Sequence, residues 1–246
     1  MAENDPFYFT FCSYSVRVFD CDLFSKLISG WAWVPLTIVY WGSLSFFILF
    51  FKGDKPIKLW LQRPQPSKAA VFFNVILGMF PLSILLLNYH LFDSMLLIIL
   101  WLLFALINPW LEELYWRGVL LDAVVDRFPK WVGVLYTTSL FVLSHPLMWG
   151  VFSIASTSYH LYIYLSIMGM VWSITHFKTR TLRWVIFSHF IVDIGNITVL
   201  TFLNIYIPPN MQLLVSGITK RQNKANGPFM VPDTRRSLFR WKKRVE

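Results

Sequence analysis

Charged residues are scarce in this chain of 246 residues, because Asp, Glu, Lys and Arg together make up only 14% of it. Soluble domains carry about 25% of such residues, so the shortage argues against a soluble protein. Hydrophobic residues make up 56%, in runs that approach the roughly 20 residues of a membrane-crossing helix. These runs lack the alternating ~10-residue segments of an outer-membrane barrel. The sequence therefore predicts an all-α, polytopic transmembrane helical bundle with about six to eight membrane helices.

Cysteine is almost absent as well. Cys12 and Cys21 form no CxxC pair, and we interpret them as structural or incidental. The N-terminus lacks the basic start of a cleaved signal peptide and carries acidic residues instead. We therefore expect the first apolar run to remain in the mature protein as a membrane anchor.

The net charge of +9 raises the possibility of a nucleic-acid partner. The basic residues, however, lie mainly between the apolar runs and in the C-terminal tail, as loop charges of membrane proteins do. No RNA- or DNA-binding motif accompanies them. We therefore expect a lipid bilayer, and no nucleic acid, as the partner of this surface.

The apolar runs divide the chain into three parts. We predict an interfacial N-terminal segment over 1–28, a transmembrane domain over 29–206 and a basic, polar tail over 207–246. The predicted spans are 30–51, 69–89, 94–126, 131–150, 154–177 and 184–206. Within the third span, Pro109 is expected to kink the helix or to split it in two.

Basic loops indicate part of the orientation. The loop 52–68 is rich in Lys and Arg and is predicted to be cytoplasmic. If 94–126 crosses once, the basic residues near 127–130 and 178–183 lie on the same side. The basic tail then falls on the opposite side, and the sequence leaves this conflict open.

Two adjacent glutamates and an arginine interrupt the third span. Glu113 and Arg117 are four residues apart, so they share a helical face and can form an ion pair. Glu112 points elsewhere and has no partner four residues on. A carboxyl group in a low-dielectric cavity suits general acid–base catalysis, whereas the alternative is that both glutamates only neutralise the arginine and help the bundle to pack.

Two later segments also place polar residues inside spans. Phe141 and His145 share a face at i, i+4, and Pro146 is expected to disfavour helical geometry at His145. A single membrane histidine more often packs or forms a hydrogen bond than catalyses a reaction.

The third polar segment places His189, Asp193 and Asn196 on one helical face, at i, i+4 and i+7. Hydrogen bonding between helices is the simpler alternative. The remaining ionisable residues of the spans receive no role: Asp122, His160 and His176.

Three motifs in this order, EExxxR, FxxxH and HxxxN/D on separate membrane helices, resemble those of the CPBP family. The family comprises CAAX prenyl proteases and bacteriocin-processing or bacteriocin-immunity proteins, and it is also called the Abi family. The resemblance rests on Glu112–Gly118, Phe141–His145 and His189–Asp193, and it covers a motif core of about 94–200.

The resemblance implies an intramembrane endopeptidase that hydrolyses a peptide bond of a membrane-associated or prenylated substrate. Glu112 and His145 would activate water, and His189 would help to bind the oxyanion. Asp193 would take part where family members often have Asn. Glu113, Arg117 and Asn196 would have supporting roles.

This chain departs from the family pattern at two of these positions. Trp116 replaces the more usual Phe, which is tolerated if the position only packs. An ionised Asp193 cannot donate a hydrogen bond to an oxyanion. Asp193 must therefore be protonated, orient His189, or leave the donor role to Asn196, and otherwise activity could be weak or absent.

Competing interpretations remain at the level of sequence. A zinc-dependent membrane protease could use Glu112, His145, His189 and Asp193 by residue type, although no HExxH motif is present. A non-catalytic CPBP-like protein could serve in bacteriocin immunity or peptide binding. A small transporter is the third possibility, although no inverted repeat is visible. The interpretation as a glutamate-dependent endopeptidase needs no cofactor or metal and predicts a multi-pass protein of the cell membrane. Its substrate identity and oligomeric state are left open.

Overall fold

The computed structural model of the protein describes residues 31–53 and 55–212. The predicted interfacial segment 1–28, with Cys12 and Cys21, lies outside these ranges, as does the tail beyond residue 212. Within the described ranges the chain is helical and contains no strand.

Connections of different lengths join the helices of the described ranges. The α-helices are α1 Trp33–Phe51, α2 Lys68–Met79, α3 Leu82–Asn88, α4 Met95–Glu113, α5 Leu121–Val125, α6 Lys130–Met148, α7 Tyr159–Thr179, α8 Arg183–Gly195 and α9 Thr198–Phe202. A π-helical segment, Leu114–Leu120, joins α4 to α5 without a break. Three 3₁₀ turns complete the order: Ile57–Leu59, Tyr89–Leu91 and Ala155–Thr157.

Four helical stretches of the described chain are long and apolar enough to cross a membrane: Trp33–Phe51, Lys68–Leu91, Met95–Val125 and Lys130–Met148. They correspond to the first four predicted spans, and the predicted helical membrane bundle is confirmed. The last predicted span, 184–206, is divided into α8 and α9, because Ile197 adopts a left-handed backbone conformation with φ of 46°. At 13 residues, α8 is about 20 Å long and falls short of the ~30 Å hydrocarbon core. Whether α7 and α8 cross fully stays a prediction.

Two prolines interrupt their helices less than the sequence predicted. Pro109 lies inside α4, which continues to Glu113, so the predicted split does not occur there. Pro146 lies in the last turn of α6, and the expected loss of helical geometry at His145 is wrong. Neighbouring helices and nearby side-chain donors can hold a proline-bearing membrane helix together. In α6, the Ser144 hydroxyl and the His145 ring both contact the carbonyl of Phe141, at 2.7 and 2.8 Å.

Helix α8 occupies the centre of the bundle, where it packs against α4, α2, α3 and α7. Small residues allow this close approach. A methyl group at Gly78 would lie 2.6 Å from Ser188 Oγ, and one at Gly195 would lie 2.6 Å from the carbonyl carbon of Pro81. Small residues at helix contacts are typical of membrane bundles, where packing drives association. The arrangement places the polar face of α8 against α4.

The basic loops meet at one end of the bundle. The backbone N–H of Gln65 donates to Thr179 O at 2.8 Å, and Arg183 Nε donates to Leu61 O at 2.6 Å. Lys55 lies 3.7 Å from Asp126. The predicted co-location of these loops is thus observed, and among the described residues it gathers positive charge at this end.

A partly buried polar contact ties the first of these loops to the third span. Trp60 Nε1 donates to Asp122 Oδ2 at 2.8 Å, and His176 Nε2 lies 3.5 Å from Asp122 Oδ1. The Trp60 ring also packs on Gly118, where an added methyl group would lie 3.1 Å from it. Asp122 and His176, which received no role from the sequence, therefore anchor the loop 55–67.

Candidate active site

The two glutamates at the end of α4 have separate partners, although they are adjacent in the chain. Glu113 Oε1 accepts hydrogen bonds from Arg117 Nη1 at 3.0 Å and from His189 Nδ1 at 2.7 Å. Glu113 and Arg117 are fully buried, so the predicted ion pair is confirmed and lies inside the bundle. The pair also bonds α4 to α8.

Aromatic rings enclose the Arg117 guanidinium. Its central carbon lies 4.4 Å from the centroid of the Phe141 ring and 5.2 Å from that of Trp172. Cation–π contacts of this kind stabilise a cation that has lost its water. The FxxxH motif therefore contributes to the site through its phenylalanine as well as through its histidine.

Glu112 is held at one oxygen only. Tyr40 Oη on α1 donates to Glu112 Oε1 at 2.9 Å, and both side chains are buried. The second oxygen, Oε2, makes no hydrogen bond within the described residues and lies 3.8 Å from His189 Nε2. One oxygen is fixed in place, and the other faces the imidazole.

His189 lies between three carboxylates. Its Nδ1 hydrogen bond to Glu113 fixes the ring plane, and Nε2 then lies 3.7 Å from Asp193 Oδ1 and 3.8 Å from Glu112 Oε2. The Trp172 ring stacks on the imidazole with centroids 4.6 Å apart and an interplanar angle of 26°. These contacts leave Nε2 directed toward the space between Glu112 and Asp193.

An asparagine reaches Asp193 from α4. Asn108 Nδ2 donates to Asp193 Oδ2 at 3.2 Å, while Asn108 Oδ1 accepts from Trp41 Nε1 at 3.1 Å. The indole N–H can only donate, so it fixes which end of the amide faces Asp193. One hydrogen of Nδ2 is then used by Asp193, and the second makes no hydrogen bond among the described residues.

His145 lies at the edge of this cluster and is partly buried. Its Nδ1 lies 2.8 Å from the carbonyl oxygen of Phe141, which can only accept, so Nδ1 carries a hydrogen. In the neutral ring Nε2 is therefore an acceptor. No hydrogen bond joins His145 directly to Glu112 or His189 in the part of the chain that the structure describes, although Phe141 links it to Arg117.

The fold thus brings together most of the residues singled out by sequence. Glu112, Glu113, Arg117, His189 and Asp193 form one buried group, and His145 joins it through Phe141. Asn196 ends α8, and its side chain makes no hydrogen bond to the group among the described residues. Its supporting role stays a prediction.

Two members of the group were not found from the sequence. Asn108 precedes Glu112 by four residues, so its position on the same helical face was visible. Tyr40 lies 72 residues before Glu112, and nothing in its local sequence indicates the contact.

The segment that contains all three motifs also has a match among known families. Residues 93–195 match the family model of the type II CAAX prenyl endopeptidase Rce1-like proteins. This match supports the assignment of the chain to the CPBP/Abi family. It also supports a function of the CAAX-type intramembrane protease kind. No curated protein and no solved structure matched the chain. Tyr40 lies on α1 outside the matched segment, so the buried group around Glu112 includes a helix that the family match does not cover.

The arrangement of the potential metal ligands bears on the zinc-dependent alternative. Over residues 31–53 and 55–212, no group of three or more His, Cys, Asp or Glu side chains is arranged to hold a metal ion. The ligand set named from residue types, with His145, is therefore not assembled among the described residues.

Proposed function

We propose that the protein is a multi-pass endopeptidase of the cell membrane that hydrolyses a peptide bond of a membrane-associated or prenylated protein by means of Glu112-activated water. The observation that carries the proposal is the unequal bonding of the two glutamates. Glu113 is committed to Arg117 and His189, whereas Glu112 Oε2 is buried beside His189 without a hydrogen bond in the described chain. A general base needs a positioned oxygen that is not already occupied.

The first step is attack on the scissile carbonyl. Glu112 Oε2 takes a proton from water, and the resulting hydroxide forms a bond with the carbonyl carbon. His145 Nε2 accepts the second water hydrogen and orients the nucleophile. The carbonyl π electrons move to oxygen and give a tetrahedral oxyanion.

Two donors then stabilise the oxyanion. His189 Nε2 can serve when it carries a hydrogen, and the carboxylate of Glu113, which bonds Nδ1, stabilises the cationic ring that this requires. The second hydrogen of Asn108 Nδ2 is the other candidate donor, in place of the family's usual Asn at position 193. Preorganised donors of this kind are each worth about 10²–10³ in turnover.

Collapse of the intermediate completes the reaction. The C–N bond breaks, the oxyanion returns to a carbonyl, and the proton held by Glu112 passes to the leaving amine. The products are a carboxylic acid and an amine, and Glu112 is restored. No metal or other cofactor takes part in this scheme.

The decisive experiment compares the N-termini of membrane proteins from cells that express the wild type, Glu112→Gln or Asp126→Asn at matched levels. Asp126 is an exposed carboxylate on the same stretch of chain, 3.7 Å from Lys55, so Asp126→Asn controls for loss of one acid. New N-termini in the wild type and in Asp126→Asn, but not in Glu112→Gln, are expected. Undiminished cleavage by folded Glu112→Gln would exclude the scheme.

Asp193 favours a second candidate, a non-catalytic CPBP-like protein that binds peptides or confers bacteriocin immunity. Its carboxylate lies 3.7 Å from His189 Nε2, where an ionised group repels an oxyanion. In that case the cellular phenotype would survive Glu112→Gln, and the N-terminal profiles of all three strains would coincide.

A further inference from the structure

A second group of polar side chains lies away from the glutamates, at the positive end of the bundle. Helices α6 and α7 pack side by side, and the start of α6 meets the end of α7 there. Between them is a cleft of about 630 Å³. Lys130, Lys178 and Arg180 line it at this end.

The rest of the cleft is apolar. Trp131 and Phe177 lie beside the cations, while Val134 and Ile174 lie one helical turn further along their helices. One turn is about 5.4 Å, so the apolar wall extends from the helix ends toward the middle of the bundle. Trp131 is 67% exposed and Ile174 is 47% exposed, so the wall faces outward. A cleft with cations at one end and apolar walls beyond them is complementary to an amphiphile with an anionic head.

Charge at the cleft is uncompensated by protein groups in the described ranges. None of its three cations forms an ion pair with a described acidic residue, and the acid just before α6, Asp126, lies against Lys55. Lys130 Nζ lies 5.7 Å from the centroid of the Phe177 ring, a cation–π contact that holds the ammonium over the cleft. The site therefore presents positive charge to whatever occupies it.

The backbone at Arg180 points to a role for its side chain. Arg180 ends α7 with φ of 55° and ψ of 27°, a left-handed conformation that glycine adopts without strain and other residues rarely do. Arginine gives no conformational advantage at such a position. Backbone strain of this kind tends to occur where a side chain has a function.

From these observations we propose that the cleft binds an anionic phospholipid. The phosphate contacts Lys130, Lys178 and Arg180, and one acyl chain lies along Val134 and Ile174. The clustering of basic loops at this end indicates the cytoplasmic side, and the cytoplasmic leaflet carries anionic lipids. Basic pockets between membrane helices on that side are known to bind such head groups. The site is separate from the glutamate cluster and does not depend on the proposed protease activity.

Native mass spectrometry of the full-length protein in detergent tests the proposal. The probes are phosphatidylglycerol, phosphatidylcholine with the same acyl chains, and soluble glycerol phosphate. We compare the wild type with the triple variant Lys130→Gln/Lys178→Gln/Arg180→Gln. The matched control is Lys58→Gln/Arg63→Gln/Lys68→Gln, which removes three exposed cations from the same end but outside the cleft.

We expect the wild type to bind phosphatidylglycerol at least about tenfold more tightly than phosphatidylcholine, because each cation near a membrane surface contributes measurably to the attraction. The cleft variant should lose this preference, and the control should keep it. Equal loss in both triple variants would show only general surface attraction and would overturn the proposal. Equally tight binding of glycerol phosphate would also overturn it, because the acyl chain would then contribute nothing. Unchanged thermal unfolding of the cleft variant establishes that any loss is local.

Discussion

The hydroxyl group of Tyr40 donates a hydrogen bond to Glu112 Oε1 at 2.9 Å, across 72 residues of sequence. Tyr40 is buried on α1, and its ring packs edge-on against Trp149 with centroids 5.5 Å apart. A held tyrosine thus fixes one carboxylate oxygen and leaves the other to face His189. The contact joins the first described helix to the glutamate pair at the end of α4.

Replacement of Tyr40 by Phe should lower turnover about tenfold, because Glu112 loses the donor that orients it. Tyr164→Phe is the control, since the Tyr164 hydroxyl donates at 2.7 Å to Leu77 O away from the site. Both variants lose one hydrogen bond, worth about 1 kcal/mol of stability. Cleavage rates measured under saturating substrate distinguish them, and equal rates in the two variants would contradict a role for Tyr40 in orienting Glu112.

Asn108→Leu should reduce turnover by about 10²–10³, the usual effect of losing an oxyanion donor. Asn74→Leu is the matched control: Asn74 is also buried, and its Nδ2 donates to Trp184 O at 2.8 Å. Folding can be compared by unfolding midpoints in detergent. If Asn108→Leu and Asn74→Leu retain the same activity, Asn108 is not the donor.

Asp193→Asn removes a carboxylate that lies 3.7 Å from His189 Nε2 and replaces it with a neutral amide. Turnover should rise, because the developing oxyanion no longer meets a nearby negative charge. The increase should be seen in single-turnover cleavage of a bound substrate. A fall in turnover of tenfold or more would instead indicate that the Asp193 carboxylate orients His189.

Removal of Arg117 should be more damaging than removal of the whole ion pair. Arg117→Met leaves the Glu113 carboxylate buried and only partly compensated, and such changes cost about 3–5 kcal/mol. The double variant Arg117→Met/Glu113→Gln should be more stable than Arg117→Met alone, since a neutral amide can still bond His189. Unfolding in denaturant measures both, and a double variant less stable than the single one would argue against an uncompensated charge.

The contact of α8 with the turn before α3 should be sensitive to one methyl group. Gly195→Ala places a carbon 2.6 Å from the Pro81 carbonyl carbon and 2.7 Å from Leu82 N, so the backbone must move, at a cost of about 1–3 kcal/mol. Gly42→Ala is the control, because nothing lies within 4 Å of its added carbon. Gly42→Ala should instead stabilise α1 by up to about 1 kcal/mol. The two melting temperatures should therefore shift in opposite directions.

The sequence predicted those parts of the site that depend on local geometry. The Glu113–Arg117 pair follows from a spacing of four residues along a helix, which holds here although π-helical residues begin at Leu114. The i, i+4 relation also placed Asp193 beside His189. Spacing alone is sufficient where both partners lie on one helix.

Contacts between distant helices could not be predicted in the same way. Tyr40 and Trp41 are two among many aromatic residues in the first span, and only packing brings them to Glu112 and Asn108. The break at Ile197 was also missed, because a β-branched residue rarely adopts positive φ. The local preference of a residue before proline predicted a non-helical His145. The surrounding bundle and the nearby side-chain donors instead keep His145 helical.

The ion pair within the third span has a consequence for biosynthesis. Ribosomes produce Glu113 and Arg117 together, but His189, which bonds Glu113 Oε1, follows 76 residues later. When the third span enters the bilayer its charges therefore have no partner from α8. Because Arg117 and Glu113 meet within a single helix, they neutralise each other as soon as that helix forms, and the insertion of ionised groups costs less. The same pair that later bonds α4 to α8 thereby lowers the cost of placing the third span in the membrane before α8 has been synthesised.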